Sequence, residues 1–289
     1  MGNPSPLRYP GGKYKISKLI ELLVNKSGDN CSVYVEPFAG GAGIAIDLLL
    51  RDVVSEIVIN DSDPAIYSFW RAVVQENDAF IDMLHSTPVT LDEWKKQREI
   101  YLTGKKYALE YGFATFFLNR TNHSGILSSG PIGGMEQGAW KLDVRYPKDD
   151  LSKKIEAIGR KRKQIHVFNR DVESFISRQL KQFEANAFVY FDPPYYRKGK
   201  DLYQNFFDEK KHQALCAKIK SDVTCPWIVS YDDVPQICKI YKGLPSRKFT
   251  LNYSLANNGS GKEVMFFGRK ELIPTMSEVR RVGMDRLFI

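Results

Sequence analysis

Cysteine and histidine are scarce in this chain of 289 residues, with four of each. Cys31, Cys216, Cys225 and Cys238 lie far apart or at spacings of 9 and 13. Those spacings fit neither a CxxC metal pattern nor a disulfide framework, so reduced thiols are expected. His85, His123, His166 and His212 are just as scattered, with no HExxH and no second ligand at helical spacing, so no metal site is expected. No run approaches the roughly 18 apolar residues that cross a bilayer. The first twelve residues also lack the basic stretch and apolar core of a leader. A cytoplasmic protein without a membrane partner is the expectation. Internal repeats and low-complexity tracts are missing as well.

The composition itself is ordinary, 43% hydrophobic and 26% charged, which excludes disordered and fibrous classes. Lysine and arginine number 42 against 34 acidic residues, a formal net charge of +8, and such a field attracts a polyanion. The excess is densest over residues 141–170, where ten bases meet four acids and Arg160, Lys161, Arg162 and Lys163 run consecutively. Charge alone leaves this run open between a solvated helix face and a phosphate contact.

The order of elements speaks for an α/β fold. Residues 16–23 carry the apolar spacing of a short helix, 32–36 read as a strand, and 44–50 as a buried helix. A second strand at 56–60 precedes a helix at 64–75, a βαβα start typical of a mostly parallel, doubly wound sheet. Strands return at 164–168, 187–191 and 227–230, with a helix at 210–220. Residues 247–253 and 263–268 read as an antiparallel hairpin at the sheet edge. Between the helix at 64–75 and the strand at 164–168, residues 76–164 are helical and aromatic around a glycine-rich loop, 125–138. This predicts a domain made of 1–75 and 165–289, with 76–164 as an inserted subdomain.

Two constellations carry chemistry. Glu36-Pro37-Phe38-Ala39-Gly40-Gly41-Ala42-Gly43 joins a strand to a helix, and its glycines let the backbone pass close to a ligand. Asp61 follows 18 residues beyond Gly43 at the next strand end, where an acid accepts bonds from ribose hydroxyls. An N-cap is the structural alternative for that aspartate. The second constellation is Asp192-Pro193-Pro194-Tyr195 after the apolar run 187–191. Adjacent prolines cannot extend a ladder, so the chain leaves the sheet there. This sets the Asp192 carboxylate and the Pro193 carbonyl in the crevice beyond the strand ends. Two fixed acceptors suit a planar exocyclic amine such as adenine N6: they hold both hydrogens and free the lone pair for attack on an electron-poor methyl group. Positioning and electrostatics then suffice, with no covalent intermediate. Tyr195 offers a face for stacking an extruded base.

In these motifs the sequence resembles the Dam-like class of adenine-N6 DNA methyltransferases. The resemblance runs from Leu7 to about Gly268 through Tyr9-Pro10-Gly11-Gly12-Lys13, Glu36-Pro37-Phe38, Asn60-Asp61, Phe117-Leu118-Asn119-Arg120, Phe168-Asn169-Arg170-Asp171-Val172 and Asp192-Pro193-Pro194-Tyr195. Ile228-Val229-Ser230 and Asn258-Gly259 ahead of Glu263-Val264 also look similar. It implies a Rossmann-like methyltransferase fold, S-adenosylmethionine as cofactor and duplex DNA as substrate, with an associated restriction endonuclease as a further partner. It implies that Tyr9 and Lys13 hold the methionine part of the cofactor, and that Glu36, Pro37, Phe38, Gly40, Gly41 and Gly43 line its pocket. Asp61 would take the ribose, Asp171 and Val172 would border the cofactor adenine, and Asp192 would touch cofactor and target.

Residues 76–164 would be the target-recognition subdomain, with Asn119, Arg120, Asn122, Ser124, Gly125 and Lys141 on DNA and Arg160 to Lys163 on phosphates. Ser128 and Ser129 stand where GATC-methylating members carry an arginine, which implies an adenine-containing target other than GATC. Cytosine N4, an RNA base or a protein amide share the planar N–H chemistry. A nicotinamide dehydrogenase shares only the glycine turn and distal acid, and an inactive DNA-binding module would need no DPPY.

Overall fold

The structure is a computed structural model that describes residues 2–8, 12–28, 30–196, 207–252 and 260–284. Seven strands form one sheet in the order β3-β2-β1-β4-β5-β7-β6. They are β1 (Val33–Glu36), β2 (Glu56–Asn60), β3 (Ile165–Phe168), β4 (Ala187–Phe191), β5 (Trp227–Asp232), β6 (Ser246–Asn252) and β7 (Ser260–Phe267). The first five are parallel, while β7 runs antiparallel to both β5 and β6. The expected doubly wound sheet with an antiparallel edge hairpin is present.

Every residue of β1 and β4 is buried, because helices cover both faces of a parallel sheet. Side chains alternate between the two cores. Tyr34, Phe188 and Tyr190 enter one, and Val33, Val35, Val189 and Phe191 the other. The first core is covered by α1 (Ser17–Lys26), α2 (Gly43–Leu50) and α3 (Pro64–Gln75). The second is covered by the segment from Val172 to Gln182 and by the helices Glu209–Asp222 and Pro235–Ile240.

The segment from 76 to 164 carries α4 (Asn77–Ser86), α5 (Leu91–Thr103), α6 (Leu109–Thr121) and α7 (Lys148–Arg160). It is helical, as its pattern predicts, yet it has no core of its own. Phe80, Phe113, Phe116, Phe117, Leu151 and Ile155 join the same cluster as Phe69, Trp70 and Tyr34. Gly112 of α6 sits so close to α3 that a Cβ would meet the Ser68 carbonyl oxygen at 2.5 Å. The segment from 76 to 164 is therefore fastened to the helical layer on that face of the sheet. Among the described residues no helix is long and apolar enough to cross a membrane.

Candidate active site

In this topology the connections from β1 and β4 leave in opposite directions, and a crevice opens at their carboxyl ends. Glu36 ends β1, Asn60 ends β2 and Asp192 follows β4. Asn60, 1% exposed, binds these ends together. Its amide donates to the Pro37 and Arg170 carbonyls, both at 3.0 Å, and accepts from the Arg170 N–H at 3.0 Å. Asn169 in turn donates to the Asp61 carbonyl at 2.7 Å.

The glycine turn closes onto Asp61. Gly40 has φ +46°, in the left-handed region, and its N–H donates to Asp61 Oδ2 at 2.9 Å. The Asp63 N–H donates to Oδ1 at 2.9 Å. Asp63, with its side chain on the Ala65 N–H, is the N-cap of α3, so Asp61 is not used as a cap. Burial lifts the Asp61 carboxyl to about 7, against the pull of its two N–H donors. Phe38 is half-buried with its ring edge-on to Phe207, while Pro37, Gly40 and Gly41 are buried and Gly43 opens α2. Asp171 is exposed and caps a helical turn through the Ser174 N–H at 2.9 Å, and Val172 behind it is buried.

Asp192 lies at the mouth of a buried charged cluster. Its Oδ1 accepts from Lys13 Nζ at 2.9 Å and from Ser230 Oγ at 3.0 Å, and Ser230 Oγ shares a 2.7 Å bond with the Tyr190 hydroxyl. The side chains of Lys13 and Glu263 are each only 2% exposed, whereas that of Asp192 is 26% exposed. Lys13 Nζ also donates to the Tyr195 hydroxyl at 2.9 Å and lies 3.1 Å from Glu263 Oε2. The Tyr195 hydroxyl donates to Glu263 Oε1 at 2.7 Å. Burial works against charge on Lys13, but Asp192, Tyr195 and Glu263 outweigh it and hold the ammonium well above the usual lysine range. Among the described residues nothing donates to Asp192 Oδ2 or to the Pro193 carbonyl. One carboxylate oxygen is thus anchored from behind, while among the described residues its twin and a neighbouring carbonyl take no donor.

Lys13, expected on the methionine part of the cofactor, here donates to Asp192 and Tyr195 and lies 3.1 Å from Glu263 Oε2, so its ammonium faces the buried cluster. Tyr195 is 7% exposed, with the Lys13 ammonium 4.7 Å from its ring centroid, so it is a wall of the cluster and no open stacking platform. Tyr9, with Pro10 and Gly11, and the Asn258-Gly259 pair lie outside the described residues. Glu263 and Ser230 carry no signal of their own in the sequence beyond lying in similar stretches. Register brings them in, since β7 pairs Glu263 with Asp232 at the end of β5.

Glu36 is 6% exposed and accepts from the Tyr34 hydroxyl at 3.0 Å. Burial, then nearby Asp192, raise its carboxyl to about 8 against that bond, so it is protonated at neutral pH. In the unfolded chain it ionises near 4.5. Between those values the native state holds one more proton than the unfolded one, so stability falls as pH rises through this window, by on the order of 4 kcal/mol. Urea unfolding at pH 5, 6.5 and 8 should show this decline, and Glu36→Gln should remove most of it. A wild-type slope of opposite sign would refute the assignment.

The DNA-directed residues divide. Asn119 and Asn122 are buried, 2% and 0% exposed. Asn119 accepts from the Arg8 N–H at 2.7 Å and donates to the Arg8 and Gly125 carbonyls. Asn122 accepts from Trp94 Nε1 and donates to the Ile126 and Leu127 carbonyls. Both amides are consumed in shaping the loop and are closed to a ligand. Gly125 has φ +75°, and a Cβ there would meet the Arg8 carbonyl oxygen at 2.3 Å. Ser124 and Lys141 are exposed, and Arg120 is half-buried. Arg160 to Lys163 are not brought to the crevice. They end α7 and precede β3, at the amino edge of the sheet, where Lys161 pairs with Asp52 at 2.6 Å.

The chain is similar to known methyltransferases. Type II methyltransferase M.MjaIII of Methanocaldococcus jannaschii is 26% identical over 310 residues, spanning 98% of this chain and 97% of its own. Two solved structures of the rRNA methyltransferase aviRa from Streptomyces viridochromogenes, each 14% identical, cover 92% and 95% of this chain and 88% and 89% of theirs. Their TM-scores are 0.43 and 0.44. A family model described as D12 class N6 adenine-specific DNA methyltransferase matches residues 9–254. By that match the chain belongs to the D12 class of N6 adenine-specific DNA methyltransferases.

Proposed function

We propose that the chain methylates adenine N6 in duplex DNA at a crevice where Asp192 Oδ2 and the Pro193 carbonyl grip the amine of an extruded base. The observation that carries this reading is the one-sided anchoring of Asp192, with Oδ1 taken by Lys13 and Ser230 and no donor on Oδ2 among the described residues. Two acceptors at fixed positions hold both amine hydrogens and align the nitrogen lone pair. The proton shed by the alkylated nitrogen leaves by way of Oδ2. Lys13 holds the carboxylate in place from behind.

S-adenosylmethionine fits this crevice by the chemistry of its donors. Each oxygen of Asp61 takes a single backbone N–H, which leaves a lone pair on each for the paired hydroxyls of a ribose. Glu36, Pro37, Phe38, Gly40, Gly41 and Gly43 would line the pocket beside it, with Asp171 and Val172 bordering the cofactor adenine. When bound, the cofactor supplies an electron-poor methyl carbon. Glu36, neutral at pH 7, adds no charge beside Asp192. A target other than GATC is supported by Ser128, an exposed side chain without a guanidinium.

Labelled S-adenosylmethionine incubated with mixed duplex DNA and RNA, followed by nucleoside analysis, tests the proposal. Label in N6-methyldeoxyadenosine is the expected result, whereas label in cytosine or RNA, or none, overturns it. Sequencing the modified DNA should place the mark outside GATC, and modification confined to GATC would refute the target assignment alone.

A further inference from the structure

Four cations gather where the amino-terminal segment crosses the helical insertion. Lys154 of α7 donates to the Asn3 carbonyl at 2.8 Å and the Ser5 carbonyl at 3.4 Å. Arg120, at the end of α6, reaches the Pro6 carbonyl at 3.5 Å. Arg8 donates through Nη1 to the Asn122 carbonyl at 3.2 Å, and both its backbone groups are clamped by the Asn119 amide. Arg145, exposed, adjoins Tyr146, whose ring packs on Phe116 and Phe117 of α6. The stretch from Asn3 to Arg8 thus serves as a common spine for these charges.

None of the four forms an ion pair within 4 Å among the described residues. Asp150 is the acid felt by Lys154 and Glu93 the one felt by Tyr146. Burial first, then Arg8 and Arg145, pull the Arg120 guanidinium down to about 10, against a smaller opposing pull from Tyr146. Independently, two buried polar atoms here lack any partner: Arg120 Nε and the Tyr146 hydroxyl, the latter on a residue 3% exposed. An unpaired buried donor costs about 1–3 kcal/mol, and clustered like charges add to that cost. A fold that carries both at one place is shaped for an anion that arrives from outside.

We infer that Arg8, Arg120, Arg145, Lys154 and the Tyr146 hydroxyl form a binding site for one phosphodiester of the duplex DNA substrate. The inference rests on the proposed action on DNA and names where the backbone is gripped. Arg8 lies five residues before Lys13, so this phosphate is held by the strand of protein that continues into the Asp192 cluster. A phosphate brings acceptors to Arg120 Nε and the Tyr146 hydroxyl together with the missing negative charge.

The test is the salt dependence of duplex DNA binding by the full chain. Arg145→Ala with Lys154→Ala should weaken specific and non-specific duplexes alike and reduce the slope of log affinity against log salt by about 0.9, the share of one phosphate. In a duplex carrying single neutral methylphosphonate linkages, one position should cost the wild type affinity and cost the double variant nothing further. An unchanged slope, or losses that add at every position, overturns the inference. Arg120→Met keeps folding effects separate. Without DNA its melting temperature should hold or rise, since a repulsive charge is removed, and a marked fall would assign the cluster a structural role instead. If 10 mM inorganic phosphate raises the melting temperature while the slope stays constant, the site is for a free anion and the inference fails. The binding assay needs no turnover, so a protein that binds in this way but does not methylate overturns only the proposed function.

Discussion

Asp192→Ala lowers kcat for DNA methylation by about 10³ or more while leaving cofactor affinity within a few fold. Loss of one preorganised group that meets the reacting atoms costs on this scale, equivalent to about 4 kcal/mol of barrier. Affinity survives because Asp61 and the glycine turn stand on β1 and β2, held by Asn60 independently of β4. Single-turnover kinetics with saturating cofactor and DNA, beside calorimetric titration of the cofactor, separate the two quantities. A variant that keeps its turnover would remove Asp192 from the chemistry, and one that loses cofactor binding in equal measure would make it a pocket residue.

Lys13→Met is the second large effect, and it reads on stability as well as turnover. The cluster holds one cation against two carboxylates, all but Asp192 closed to water. Removing the cation leaves Glu263 charged and buried with only the Tyr195 hydroxyl, a loss of about 3–5 kcal/mol for a broken buried pair. Adding Glu263→Gln to Lys13→Met should return a good part of that loss, because the surviving amide carries no charge. Urea unfolding of the two single variants and the double variant measures the coupling. Strict additivity would show that the ion pair contributes nothing. Turnover should remain low in the double variant, since Asp192 has lost its anchor.

The sheet was legible because its signals are local. The bounds of β2, α3 and β4 match the pattern residue for residue, as apolar runs that end at Asp61, Gln75 and Asp192. Asp61 and Asp192 were found because strand ends place them, whatever the rest of the fold does. For Lys13 the motif fixes the neighbourhood, but only the hairpin register shows that Glu263 lies beside it. Asn119 and Asn122 read as ligands because exposed amides and buried ones look alike in a sequence. Burial by α5 and by the Asn3 to Arg8 segment decided between them. The basic run Arg160 to Lys163 shows the reverse failure. Its charge density is high, but α7 returns to the foot of β3 and carries it away from the crevice. The sparser cations Arg8, Arg120, Arg145 and Lys154 converge only in three dimensions.

The edge hairpin has a bearing on biosynthesis. Glu263 arrives on β7, after every other wall of the crevice has left the ribosome, and it engages a lysine made among the first residues. Pairing so distant in the chain is slow to form. A nascent or truncated polypeptide lacking β7 would carry the glycine turn and the DPPY corner but leave Lys13 and Tyr195 without Glu263. Such fragments would fall short of modifying the genome, and competence would come only with completion of the sheet.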